Sequence, residues 1–184
     1  MPPLLLRIAT PADADAIVRL VQSAYRGDSS RGGWTTEADH LDGQRVDAGM
    51  VLADLAVPGT RILLVDPEPV RGPADPDGDL LACVLVRRLD GGIGYIGMFA
   101  VDPGRQAAGT GSRLLAEAER LLAEDGVAEA ELTVLSVRPE LAAFYERRGY
   151  RATGDRHPFP YGDDRFGAPL RGDLELVVYR KPLD

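Results

Sequence analysis

The chain has 184 residues, 45% hydrophobic and 27% charged, with a formal net charge of −8 and a single cysteine. That balance suits one domain spanning residues 1–184 with a proper core. The acidity argues against a nucleic-acid partner, whose phosphates need cationic surfaces, and no apolar run approaches the ~18 residues needed to cross a membrane. Residues 1–6 lack the basic start of a secretion signal. Cys83 has no intrachain partner and suits a reducing cytoplasm, which is the expected location. An acidic surface mildly favours cationic acceptors, although solubility alone accounts for it as well.

Residues 4–8 read as a first strand. Thr10-Pro11-x-Asp13 marks a helix start with proline at the first helical position, and Ile17, Leu20, Val21 and Ala24 supply its apolar stripe. Residues 27–33 read as a polar loop. Thr36-x-x-Asp39 resembles a capping box and predicts a helical stretch from near Glu37, bent near Gly43 and resuming to about Leu55. Residues 60–65 and 80–88 read as neighbouring strands. Between them, four prolines and five acids over residues 66–79 predict a mobile hairpin loop. Asp90-Gly91-Gly92 is a hairpin turn, and an alternating apolar strand over 93–101 runs on to Asp102-Pro103.

The next stretch is the most telling. Gln106-Ala107-Ala108-Gly109-Thr110-Gly111 opens directly into a helix whose Leu114, Leu115, Ala118, Leu121 and Leu122 fall on one face. A glycine loop there exposes backbone N–H groups at the positive end of the helix dipole, a site for a phosphate or pyrophosphate. Two familiar phosphate motifs fail. Gly104 and Gly109 have P-loop spacing, but Thr110 stands where the P-loop lysine is needed. Gly92-Ile93-Gly94-Tyr95-Ile96-Gly97 spells GxGxxG at the start of a strand, not between a strand and a helix, so the dinucleotide reading lacks its context. Beyond the helix, residues 129–135 read as a strand, 139–148 as a helix stopped by Gly149, 150–153 as a strand, 157–171 as a loop and 174–179 as a closing strand. Such an order fits a layered α/β fold.

Gln106-x-x-Gly109-x-Gly111, followed by Phe144-Tyr145-Glu146-Arg147-Arg148-Gly149-Tyr150, resembles the GNAT superfamily of acyl-CoA-dependent N-acetyltransferases over about residues 80–153. The resemblance implies a mixed, mostly antiparallel central sheet, flanked by helices on both faces. The sheet would be splayed in the middle between the strands at 93–101 and 129–135, with acetyl-CoA wedged in the gap. It implies a pyrophosphate held by Gln106, Ala107, Ala108, Gly109, Thr110, Gly111 and Ser112, with Arg105 and Arg113 adding charge. The oxyanion and the pantetheine amides would be met by backbone N–H groups of the strand carrying Met98, Phe99, Ala100 and Val101. Arg138 stands where many members carry an asparagine, so its contact with the cofactor would be a guanidinium's. Tyr145 would face the thioester sulfur. A phenol near pKa 10 and a thiol near 8.5 are mismatched by ~1.5 units, about 2 kcal/mol, so a strong hydrogen bond is as plausible as full proton transfer.

Members of the superfamily often place a carboxylate base on the strand equivalent to 93–101. Here that strand offers only Tyr95, Gly97 and Met98. Glu37, His40 and His157 are the remaining candidates, and Glu37 is preferred, although it also reads as a first-turn acid favoured by the dipole. Trp34, Tyr95 and Met98 are expected to line the pocket for a small-molecule or peptide amine. No metal is expected, and dimers are common in the superfamily. The implied reaction is direct acetyl transfer to a primary amine in a ternary complex. A longer acyl-CoA donor and a non-catalytic acyl-CoA-binding module are the rival readings.

Overall fold

The computed structural model describes residues 4–67, 80–106 and 109–183. The continuous apolar runs over residues 60–65 and 82–86 become strands buried on both faces, whereas the polar run over 151–158 becomes an exposed strand at the end of the sheet. β1 (Leu6–Ile8), β3 (Thr60–Val65), β4 (Ala82–Arg88), β5 (Ile93–Val101), β6 (Glu129–Leu135), β9 (Glu175–Pro182) and β7 (Arg151–Pro158) lie side by side in that order as a seven-stranded sheet. β2 (Leu41–Asp42) and β8 (Ala168–Pro169) form a separate antiparallel pair. Neighbours in the large sheet are antiparallel, except that β5 and β6 run parallel.

Side chains alternate between the faces. Ile62, Leu64, Cys83 and Leu85 enter a core capped by α1 (Ala14–Tyr25) and α3 (Ala48–Ala56). Leu63, Val65, Val84, Val86 and Ile96 face the opposite way, toward Leu114, Leu115, Ala118 and Leu122 of α4 (Thr110–Glu124), with α5 (Pro139–Glu146) beside them. Both faces are covered, which is why β3 and β4 read as unbroken apolar segments instead of alternating ones. No helix among the described residues is long and apolar enough to cross a membrane.

The feature that positions the site is the parting of β5 from β6. Their parallel pairing covers only Ile93↔Glu129, Gly94↔Ala130 and Tyr95↔Glu131. On the other side of β5, Leu85 pairs with Gly97 and Cys83 with Ala100, so Met98 and Phe99 both stand against Val84. Two residues against one is a β-bulge, which bends the strand. Met98 takes φ of +45°, the one positive φ outside glycine among the described residues. Such a conformation costs about 1 kcal/mol or more and persists where the surroundings enforce it.

Four expectations change. Residues 27–31 are not loop but a short helix, α2 (Gly27–Arg31). No helix begins near Glu37. The Thr36 hydroxyl accepts from the N–H of Ala38, two residues on, and Asp39 pairs with Arg31, so neither makes the reciprocal bonds of a capping box. Asp47 is the working cap, accepting from the N–H of Met50 at 2.8 Å to start α3. The strand expected over 150–153 extends to Pro158, and the closing strand to Pro182, because the two pair with each other at the end of the sheet. The loop expected over 66–79 lies mostly outside the described residues.

α4 lies so close to β5 that a Cβ at Gly94 would sit 2.7 Å from Leu122 Cδ2 and 2.9 Å from Val127 Cγ1. Gly94→Val should therefore cost about 1–3 kcal/mol of stability by overpacking, read from urea denaturation midpoints. A variant as stable as the parent would mean that α4 is not seated on β5 in this way.

Candidate active site

Where β5 leaves β6, its outer edge loses its protein partner. The N–H of Asp102 donates to the carbonyl of Leu81 at 2.9 Å, and Ala100 pairs with Cys83, so these positions face β4. Phe99 and Val101 alternate with them and face the gap. Their carbonyls are taken by side chains: the Tyr25 hydroxyl donates to Phe99 O at 2.6 Å, and Gln106 Nε2 donates to Val101 O at 3.2 Å. What this edge can still offer an extended ligand is N–H donors.

The gap opens into a cleft of about 470 Å³ whose wall includes Phe99, Ala100 and Val101. Its mouth is the start of α4, where Gly109, Thr110, Gly111 and Ser112 line the cleft. Gly109 takes φ of +76° at the N-cap, with no side chain capping the helix. The first intrahelical bond recorded there runs from Arg113 N to Gly109 O. The N–H groups of Thr110, Gly111 and Ser112 precede it and have no acceptor within the helix. A Cβ at Gly109 would meet nothing within 4 Å, so the backbone angle, not crowding, calls for glycine there. Donors at the positive end of a four-turn helix suit an anion. Ala107 and Ala108 lie outside the described residues. Arg105 is half exposed and pairs loosely with Asp102 at 3.7 Å.

Gln106 turns out to be a strut. Its Oε1 accepts from the N–H of Trp34 at 2.8 Å while its Nε2 holds the end of β5. Gly33 leaves room for this, since a Cβ there would lie 2.8 Å from that oxygen. The segment 32–35 is thereby tied across the mouth. Trp34 rests on Phe144 with ring centroids 5.6 Å apart. Arg148 lies over the same Phe144, 3.5 Å from its centroid, and donates to the Ser112 hydroxyl.

Deeper in the cleft is Tyr145, buried among Phe99, Phe144 and Tyr150. Its hydroxyl has no hydrogen-bond partner among the described residues, and burial pushes its pKa well above the ordinary value. It therefore stays protonated and can donate. Nearby, Glu37 is buried and held by three arginines. Arg26 Nη1 is 2.6 Å and Arg45 Nε 3.7 Å from its Oε2, and Arg138 Nη1 is 3.0 Å from its Oε1. Burial would raise its pKa, but Arg45, Arg138 and Arg26 together outweigh that and hold the carboxyl below the usual range.

Trp34, Phe99, Ala100, Val101, Gln106, Gly109, Thr110, Gly111, Ser112, Arg138 and Tyr145 are thus brought to one cleft. Glu37, Tyr95 and Met98 do not line it. An anion bonded through both oxygens and kept ionised is a poor proton acceptor, so Glu37 anchors arginines where a base was expected. Arg138 turns to Glu37 and to the Thr35 hydroxyl at 2.6 Å, because a buried guanidinium needs a countercharge. Tyr95 folds over Gly97, and with Met98 it packs toward α1 and α3. His40 donates its N–H to the carbonyl of Glu37, and His157 is exposed on β7. Cys83 is fully buried, and its thiol is pushed up to about 12, which suits packing and not nucleophilic work. Tyr25 lines the cleft, and Arg26 and Arg45 hold Glu37; no motif marked any of the three.

Residues 31–150 match the family described as acetyltransferase (GNAT). Among solved structures, an acetyltransferase described as of the GNAT family from Desulfovibrio desulfuricans superposes with a TM-score of 0.68 at 21% identity, covering 99% of this chain and 100% of that one. Nourseothricin acetyltransferase gives 0.66 at 18% identity, covering 97% and 98%. A Bacillus anthracis protein described as a streptothricin acetyltransferase, solved in complex with acetyl coenzyme A, gives 0.55 at 17%, covering 72% and 68%. At such identities the likeness is one of fold. No curated protein sequence matches the chain.

The sign of the Glu37 shift sets a pH dependence. A carboxyl whose folded pKa is depressed contributes stability above its unfolded pKa of ~4.3, and that contribution is lost as pH falls through the folded value. Glu37→Gln should therefore cost about 3–5 kcal/mol near neutral pH by stranding buried guanidiniums. The deficit relative to the parent should shrink below about pH 4. Urea denaturation across pH checks this; a pH-independent deficit would show that charge is not what Glu37 contributes.

Proposed function

Because this chain belongs to the GNAT acetyltransferase family, we propose that it is an N-acetyltransferase passing an acetyl group from acetyl-CoA directly to an amine. One observation carries the reading: an unpaired strand edge and an uncapped helix start open into the same cleft. The first suits the amides of an extended pantetheine arm and the second suits a diphosphate.

The residues fit that ligand. Gly109, Thr110, Gly111 and Ser112 supply N–H groups to the pyrophosphate, and Gln106 braces the end of β5 that leads to them. Phe99 and Val101 supply edge donors. When bound, acetyl-CoA provides the activated acyl group as a thioester. Tyr145 is our choice for the leaving-group side. Its raised pKa makes it a hydrogen-bond donor to the departing sulfur, not a source of a fully transferred proton. No carboxylate or imidazole lines the cleft among the described residues, so we assign the acceptor's proton to water. That same composition favours a second reading, a non-catalytic acyl-CoA-binding module, and thiol release over an amine panel separates the two.

Tyr145→Phe should lower kcat by about 100-fold and leave the calorimetric Kd for CoA within about twofold. Unchanged turnover would remove Tyr145 from the reaction. Gly109→Glu sets a β-carbon at positive φ and a carboxylate beside the diphosphate, and should abolish CoA binding. Retained affinity would displace the pyrophosphate from the start of α4.

A further inference from the structure

The cluster around Glu37 carries more positive charge than its fold needs. Three guanidiniums, those of Arg26, Arg45 and Arg138, converge on one carboxylate, and two of them belong to side chains only 3% and 4% exposed. The next acid, Glu140, has Oε1 3.6 Å from Arg138 Nε, but it is 41% exposed and shared with the Thr35 hydroxyl, so water screens most of its effect. An uncompensated buried cation is expensive. Here it persists in a chain whose net charge is −8, where acids were abundant for the purpose.

The excess charge sits beside the reacting edge. Arg138 lines the cleft together with Tyr25 and Tyr145, and its Nε is buried without a hydrogen-bond partner. The Tyr25 hydroxyl holds Phe99 O at 2.6 Å, while its ring has Arg45 at 5.2 Å and Arg138 at 5.9 Å from the centroid. One side chain thus spans from the opened strand to the arginines.

We propose that the acceptor is an amino-carboxylate, with its carboxylate held by Arg138, whose positive field Arg45 reinforces by sharing Glu37, and its amine at the splayed edge of β5. This rests on the transferase reading of the same cleft. A polyamine would bring positive charge onto guanidiniums, and a neutral amine would leave Arg138 Nε unanswered. In the transfer, the amine lone pair forms the C–N bond to the thioester carbon. The C–S bond breaks with its electron pair on sulfur. The nitrogen's proton passes through water to the released thiolate, leaving an amide and free CoA.

The test measures thiol release from acetyl-CoA with the standard amino acids, their carboxamides and spermidine. Free acids should exceed their own carboxamides by about tenfold or more in kcat/KM. Arg45→Gln leaves Glu37 its two shorter ion pairs, so the fold should survive. It should narrow that preference about tenfold through KM for the acids, while the calorimetric Kd for acetyl-CoA stays put. Carboxamides or spermidine matching the acids, or an undiminished preference in Arg45→Gln, would overturn the proposal. Should no acceptor release thiol, the transferase reading fails. The anion subsite is then read by titrating acids and carboxamides into the protein, with acetyl-CoA present if it binds. Selective binding of the acids upholds the subsite, and equal or absent binding refutes it.

Discussion

The site depends on one strand refusing its neighbour. β5 and β6 share three residue pairs, ending at Tyr95 and Glu131, and the bulge against β4 around Met98 follows beyond the parting. Strand edges inside a protein are normally paired because unanswered N–H groups cost free energy. This edge is half answered from within: Tyr25 and Gln106 take the carbonyls of Phe99 and Val101. The donors are left facing the cleft. The arrangement suits a ligand presenting carbonyl acceptors along an extended chain, and the positive φ of Met98 is the local strain that accompanies it.

Two kinds of anchor hold the remainder in register with that edge. Toward the mouth, Gln106 ties residues 32–35 to the end of β5, and Arg148 links Ser112 of α4 to the ring of Phe144. These contacts join three separate elements around the helix start, so the exposed N–H groups of α4 sit on a rigid frame. At the far end, Glu37 gathers Arg26, Arg45 and Arg138 from three parts of the chain. Removing Glu37 would leave the guanidiniums of Arg26 and Arg138 buried without their countercharge, so the segment between α1 and α3 depends on electrostatics as well as on apolar packing.

Much of the frame was legible beforehand. The strands over 60–65, 93–101 and 129–135 fall where apolar patterning put them, because a side chain's face is fixed by its position in the strand. The glycine loop and the helix after it were legible for the same local reason: Gly109 needs a backbone angle that few other residues accept. Residues 34–47 failed that logic. Thr36 and Asp39 have capping chemistry, but nearby Glu37 is drawn inward by arginines from distant positions, and no helical stripe exists to hold the segment on the core.

The sequence by itself determined the alternation of strands and helices, the bare-backbone turn at Gly109 and the family to which its two motifs point, since each is a matter of neighbours along the chain. Only the tertiary structure decided that Gln106 braces Trp34, that Glu37 sits among arginines as an anchor, that Tyr25 lines the cleft and that Arg26 and Arg45 hold Glu37. Those roles depend on burial and on charges brought together from as far as 101 residues away, and no local pattern encodes such distances.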